Sequence, residues 1–310
     1  MTLLHSIEAT AARAAVHILR ALSPVAASNV GGAIARTIGP LLPASRIADI
    51  NLQMALPELD STARRRVIRG VWDNLGRTLG ELPHLGRLVK DAPTGPAWRM
   101  EGVENFEAIA ASGGPAIFVT GHFGNWEMLP PAAAHFGSPL SSFFRPADNR
   151  AIDVIIAELR ARAGGGDVSY FAKGREGAVQ ALIHLRRGGF LGVLFDQKMN
   201  DGIEARLFGR PSMTAPAAAR LALRLGCPVI PIYVCRDGPA RLCVVCEPAL
   251  THPQTGDKAA DILALTQAMN DRLEAWVRAR PEAWLWLHRR WNKSLYTAPL
   301  PPFPGGKPPG

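Results

Sequence analysis

His122 sits in the stretch Gly121-His122-Phe123-Gly124-Asn125-Trp126-Glu127, which combines a titratable base with a carboxylate five positions later. An imidazole with one nitrogen held by a carboxylate is kept in a single tautomer and made a better general base. A regular helix would not stack two side chains five apart. If His122 lies in a turn and Glu127 one turn into the following helix, the carboxylate can fold back to the ring. The apolar run 115–120 before the stretch reads as a buried strand, and the segment after it can be helical as far as Pro130-Pro131. His122 is therefore expected at a strand-to-helix junction, on the sheet edge where open α/β folds bind ligands. The first helical turn would offer unpaired N–H groups to a developing oxyanion, and the flanking glycines allow close approach.

Other polar residues follow strand-like runs in the same way. Arg145 ends the run 140–144 and could grip a phosphate or carboxylate in bidentate fashion, or pair with Glu127 or Asp196. Asn149 and Arg150 open the next helix. Asp196 ends the run 190–195, so it should emerge on the edge that carries His122, orienting a basic residue or an acceptor hydroxyl. Gln197 would add a polar contact and Lys198 positive charge. Phe208-Gly209-Arg210-Pro211 leads towards Thr214, read as the N-cap of a helix, an arrangement suited to phosphate binding; a simple connection is the alternative. Trp284, Trp286 and Trp291 interleave with His288, Arg289 and Arg290, which suits a lipid headgroup boundary or a helix clamping the sheet.

The chain has no GxSxG elbow, no HExxH and no Gly-rich phosphate loop. No covalent nucleophile is therefore in view.

The stretch 121–127 resembles the HxxxxD/E motif of the glycerolipid-type acyltransferases, in the form used by the lipid A late acyltransferases. Phe144-Arg145-Pro146 with Asn149-Arg150, Phe195-Asp196-Gln197, Leu207 to Pro211 and Pro281 to Trp291 match in order and spacing, and the resemblance runs from about Leu41 to Trp291. Cys227 to Tyr233 resembles that group's VIPI strand, which would line an acyl groove. The resemblance implies an acyl-acyl carrier protein donor (or acyl-CoA) and a Kdo-bearing lipid A precursor as acceptor, with no cofactor. His122 would deprotonate the hydroxyl, oriented by Glu127. Arg145, Asn149, Asp196, Gln197, Gly209 and Arg210 would contact substrate. Lysophospholipids, glycolipids or phosphatidylinositol mannosides are alternative acceptors, and a non-enzymatic membrane-surface scaffold is a reading from another class. The implied location is the cytoplasmic face of the bacterial inner membrane, peripheral or anchored in the interface.

The elements that must position these residues follow from pattern. Runs 116–120, 140–144, 168–172, 190–195, 229–234 and 241–245 read as strands, and 105–111, 126–136, 152–162, 176–187 and 216–225 as helices. Such alternation implies an α/β fold with a largely parallel mixed sheet flanked by helices. Before it comes an N-terminal helical layer, with helices over 1–22, 45–55 and 61–79, the last capped by Ser61. The expected division is 1–95 as this layer, lying at the membrane interface, 96–296 as the catalytic unit and 297–310 as an exposed Pro/Gly-rich tail. Segment 25–43 is apolar but carries Gly31, Gly32, Gly39 and Pro40, so it makes a poor membrane span. Helices lying in the interface, or a soluble layer on the sheet, remain the two options.

With 310 residues, 47% of them apolar, the chain can bury a core, and a formal charge of +9 calls for an acidic partner. Nucleic acid fits poorly, because the basic residues are scattered and only 3 tyrosines are available for base stacking. Anionic lipid or acyl carrier protein suits Arg64, Arg65, Arg66 and Arg69 better. Cys243 and Cys246 form a CxxC within a strand, which turns the two to opposite faces, so buried reduced thiols are expected rather than zinc.

Overall fold

A computed structural model describes residues 3–144, 149–164, 168–172 and 174–297. Four helices come first: α1 (Leu3–Ala21), α2 (Pro24–Ile38), α3 (Pro43–Ala55) and α4 (Ser61–Glu81). Strands β1 (Val89–Lys90) and β2 (Ala97–Glu101) follow, then α5 (Val103–Ala111), β3 (Ala116–Thr120), α6 (Leu129–His135), β4 (Leu140–Phe144) and α7 (Arg150–Arg162). Next are β5 (Tyr170–Ala172), α8 (Arg175–Arg186), β6 (Phe190–Leu194) and the pair β7 (Ile203–Leu207) and β8 (Arg210–Thr214). The last are α9 (Ala217–Leu225), β9 (Val229–Gly238), β10 (Arg241–Cys246) and α10 (Lys258–Ala279).

The main sheet has the order β1-β2-β10-β9-β3-β6-β4-β5, and its only antiparallel pair among the described residues is β9 with β10. This is the α/β architecture expected. Strand β3 is buried along its whole length, and its alternate residues enter different cores. Ile117 and Val119 pack with α9 and α10, while Ala116 and Phe118 pack with Phe106 of α5 and Ala132 of α6. After β3 the chain crosses to β4 on one side, and after β6 it crosses to β9 on the other. The carboxyl ends of β3 and β6 therefore face a crevice where the winding reverses, the usual ligand position in such sheets.

The glycines that weaken 25–43 as a span serve close helix packing. A Cβ on Gly31 would lie 2.2 Å from the Gly76 carbonyl oxygen, and one on Gly80 would lie 2.3 Å from that of Ala27. Helices α2 and α4 thus meet backbone to backbone. Among the described residues no helix is long and apolar enough to cross a membrane. The cap of α4 is Asp60 rather than Ser61, its carboxylate accepting the Ala63 N–H at 2.7 Å. Pro43 likewise begins α3 two residues before the expected start at Ser45, and Pro24 begins α2.

Two larger differences concern 203–214 and 258–279. Thr214 caps no helix; it ends β8, which pairs with β7 through a two-residue turn in which Phe208 and Gly209 have φ of 51° and 69°, and the expected helix, α9, begins only at Ala217. Helix α10 was not anticipated, although Asp257 caps it by accepting the Ala259 and Ala260 N–H groups. The four cysteines are free and buried, Cys243 in one core and Cys246 in the other, and burial pushes both thiols up to about 12.

Candidate active site

Strands β3 and β6 run parallel with Thr120 opposite Leu194. Continuing that register two residues past the sheet sets His122 beside Asp196. The His122 ring Nδ1 lies 2.9 Å from Asp196 Oδ1, and the His122 backbone N–H donates to Oδ2 at 2.8 Å. The Trp284 indole N–H donates to the same Oδ2, also at 2.8 Å. Asp196 is buried, and burial alone would raise its carboxyl. The charge of the His122 imidazolium, the His122 hydrogen bonds and the Trp284 indole outweigh burial and hold it down at about 2. An ionised Asp196 accepting at Nδ1 puts the ring proton on Nδ1 and the lone pair on Nε2, the tautomer a general base needs.

The loop carrying His122 is pinned on every side. Phe123 pairs with Trp284 as an antiparallel bridge, the Leu285 N–H donates to the His122 carbonyl at 3.0 Å, and the Gly124 N–H donates to Ala283 at 2.9 Å. The Gly124 carbonyl accepts from Asn74 at 3.1 Å and Thr78 at 3.2 Å, both on α4. Next to it, Asn125 donates to the fully buried Glu81 of α4, which also takes Arg236 and the Ala240 N–H. Gly124 has φ of 58°, and a Cβ there would lie 1.6 Å from the Val234 carbonyl oxygen. Gly124→Ala is therefore expected to cost at least about 3 kcal/mol, from left-handed strain plus overlap with backbone that cannot yield. A thermal melt measures it.

Glu127 does not hold the His122 ring, as the sequence suggested it would. Both its oxygens are taken by Arg160 of α7, at 2.8 Å from Nε and 2.7 Å from a terminal nitrogen. The segment after Asn125 is a single 3-10 turn, Trp126–Met128, so Glu127 points along the sheet towards α7 instead of back to the turn. The nearer carboxylate, delivered by the neighbouring strand, occupies Nδ1. The expected oxyanion site at a helix start is likewise altered, because the Gly124 N–H is already used and a 3-10 turn, Trp126–Met128, separates the loop from α6. Glu127 does touch the ring indirectly. It accepts the Trp126 indole N–H at 3.2 Å, and Trp126 packs edge-on to His122 with centroids 5.0 Å apart.

A cleft leads from Trp126 between Leu129, Leu140 and Leu194 to Arg160 and Tyr170, and Phe144, Val154 and Ala157 line its continuation past the same Arg160 and Tyr170. Arg160 lies over the Tyr170 ring at 5.6 Å. The cleft is thus lined largely by apolar side chains, with the Glu127–Arg160 ion pair in its wall and Asp153 in its continuation.

The remaining sequence candidates divide. Gln197 follows Asp196, half-buried. Arg145 lies outside the described residues. Asn149 caps α7 through Ala151 N–H at 3.1 Å and donates to the His5 carbonyl and Glu8 of α1, so its amide joins helices. Gly209 forms the β7–β8 turn, and Arg210 is buried with Nε donating to the Met54 carbonyl at 2.9 Å. These contacts assign both to the hairpin, whose Phe208 packs on Trp286 and Trp291. The stretch 281–291 is not a helix beyond its first 3-10 turn, Pro281–Ala283; its tryptophans are buried, and only Trp284 reaches the dyad. His288, with its ring 6.1 Å from that of His122, is held below the usual imidazole range by desolvation and then by His122. Sequence reasoning missed Trp284 as a donor to Asp196 and Arg160 as the partner of Glu127. Helical spacing hinted at neither, since both contacts cross between elements. Among the described residues no three His, Cys, Asp or Glu side chains converge to hold a metal.

A base with an oriented tautomer, packed against the Trp126 that lines a cleft with apolar walls, is suited to proton abstraction from an alcohol beside a hydrocarbon chain. Residues 2–293 match the family model described as bacterial lipid A biosynthesis acyltransferase. The chain is 23% identical over 248 residues to the lipid A biosynthesis myristoyltransferase of Escherichia coli (strain K12), covering 78% of this chain and 73% of that protein. Lipid A biosynthesis acyltransferase 1 of Shigella flexneri matches with the same identity and coverage. A phosphatidylinositol mannoside acyltransferase of Mycobacterium tuberculosis (strain CDC 1551 / Oshkosh) is 22% identical over 196 residues, covering 63% of this chain and 60% of that protein. With an oriented base on the expected sheet edge and a family match over nearly its whole length, the chain belongs to the bacterial lipid A biosynthesis acyltransferases.

Proposed function

We propose that this acyltransferase moves a fatty acyl chain from acyl-acyl carrier protein to a hydroxyl of a lipid A precursor, with His122 as general base and no acyl-enzyme. His122 Nε2 takes the proton of the acceptor hydroxyl as its oxygen attacks the thioester carbonyl carbon. The tetrahedral intermediate then expels the thiolate, the C–S bond breaks, and the imidazolium returns the proton to sulfur. Asp196 fixes the tautomer beforehand and stabilises the imidazolium as it forms. The step balances with the two substrates alone. The observation that carries the reading is the Asp196–His122 contact of 2.9 Å at the crevice between β3 and β6.

Glu127 and Arg160 act here as one positioning unit. Their ion pair holds the Trp126 indole against the base and closes the wall of the acyl cleft. Glu127→Gln, Arg160→Gln and the double variant are then expected to lose similar turnover, the double no worse than either single, because groups that work as a pair are not additive. The kcat/KM values of the three variants check this. Fully additive losses would give the two residues separate roles.

The reaction places the enzyme at a bilayer surface, on the cytoplasmic face of the inner membrane, where acyl carrier protein and membrane lipid meet. The match to a phosphatidylinositol mannoside acyltransferase keeps one competing acceptor class open. Purified enzyme, acyl-acyl carrier protein and either a Kdo-bearing lipid A precursor or a mannosylated phosphatidylinositol decide between them by mass spectrometry of the lipid product. One added acyl chain on the lipid A precursor supports the reading, and addition to the mannolipid alone rejects it.

A further inference from the structure

The first helices end in a corner that the chemistry at His122 does not use. Helix α2 leaves Val30, Ile34, Ile38 and, past its end, Leu41 exposed, the last at 83%. Spacings of three and four residues set them on one side of the helix. Beside this stripe a cleft of about 430 Å³ opens between the start of α3 and the first half of α4. Its lining includes Pro40, Ser45 and the four arginines Arg46, Arg64, Arg65 and Arg69, with a single carboxylate, Asp49. Asp49 is taken by Arg64 at 2.7 Å. Arg46, Arg65 and Arg69 are exposed and have no carboxylate partner among the described residues.

The corner is held rigid from below. The Trp72 indole N–H donates to Ser45 Oγ at 2.8 Å, and the Ser45 hydroxyl donates to the Gly39 carbonyl at 2.8 Å. A Cβ on Gly39 would lie 2.1 Å from the Trp72 ring, so the chain there approaches the ring as only glycine allows. The three arginines and Leu41 are therefore displayed from a fixed frame.

We propose that this corner seats the enzyme on the bilayer by taking the phosphate headgroup of an anionic phospholipid into the Arg46–Arg65–Arg69 cleft while the α2 stripe enters the acyl layer. The proposal rests on the reading that the enzyme works at a membrane surface and names the face it uses. Guanidinium forks match phosphate oxygens in bidentate geometry. An exposed leucine adjoining three unneutralised arginines fits a ligand with an anionic head and a hydrocarbon body. An acidic protein would satisfy the arginines but not the stripe, which is why lipid is favoured. The net charge of +9 points the same way.

The test is co-sedimentation with vesicles of phosphatidylcholine alone and of phosphatidylcholine mixed with phosphatidylglycerol. Each arginine near an anionic surface contributes about fivefold to partitioning, so Arg46→Ala/Arg65→Ala/Arg69→Ala is expected to lose about a hundredfold on the anionic vesicles. It should be unchanged on phosphatidylcholine. Ile38→Ser/Leu41→Ser should lose binding to both, and added salt should weaken only the anionic component. All five side chains are exposed, so thermal melts should match the wild type. Turnover on detergent-dispersed substrates should also persist. Loss of that turnover in the wild type would defeat the acyltransferase mechanism and leave the vesicle result standing by itself. The proposal is overturned if the triple-arginine variant partitions like the wild type. It is also overturned if that variant loses only acyl carrier protein binding, or if inorganic phosphate alone binds the cleft while vesicle partitioning ignores it.

Discussion

His122→Ala is expected to reduce turnover by about 10²–10⁴-fold, the usual contribution of a positioned general base, with the fold retained and the thermal melt lowered by loss of the ring's contact with buried Asp196. The fold should survive because the backbone contacts of this residue are kept. Its N–H binds Asp196 and its carbonyl accepts from Leu285, and alanine preserves both. Asp196 also keeps the Trp284 indole as a donor. Substrate binding should change little, which places the loss in kcat rather than KM. A variant retaining wild-type turnover would move the chemistry away from this residue.

Asp196→Asn should have a comparable kinetic effect by a different route. An asparagine fits the site but can present its amide N–H to Nδ1, which favours the tautomer with the proton on Nε2. That tautomer cannot accept the hydroxyl proton, and the analogous change in Ser-His-Asp enzymes costs about 10⁴-fold. We expect a loss of about 10²–10⁴-fold here, again in kcat. The same variant should alter stability in acid. Asp196 is held at about 2, below the 3.8 of an ordinary aspartate, so its stabilising contribution is complete above pH 3.8 and is lost as pH falls through about 2. Removing the carboxylate removes that dependence, and the variant should show a flatter stability profile between those limits. Denaturant melts across that range, set beside kcat at neutral pH, measure both effects.

Much of this was visible in the linear chain because it depends on local pattern. The buried run ending at Thr120 and the run ending near Phe195 defined two strands, and strand-end logic then put His122 and Asp196 on one edge. The α/β class followed from alternation of such runs with helical segments. The hairpin at 203–214 escaped because its turn places Phe208, a residue with no preference for positive φ, in the left-handed region. Burial of Phe208 against Trp286 and Trp291 offsets that strain, and this is information from another part of the chain.

The sequence by itself determined which residues could act as base, acid partner and cation, and which strands would carry them, because side-chain chemistry and apolar periodicity are properties of neighbours along the chain. Which carboxylate meets His122 was decided only in three dimensions. Spacing along the chain favoured Glu127, five residues away, yet parallel pairing of β3 with β6 brings Asp196, 74 residues away, to 2.9 Å. Arg160 likewise reaches Glu127 across 33 residues. Register between strands and the docking of α7 set those distances, and both depend on burying whole faces of the sheet rather than on any local signal.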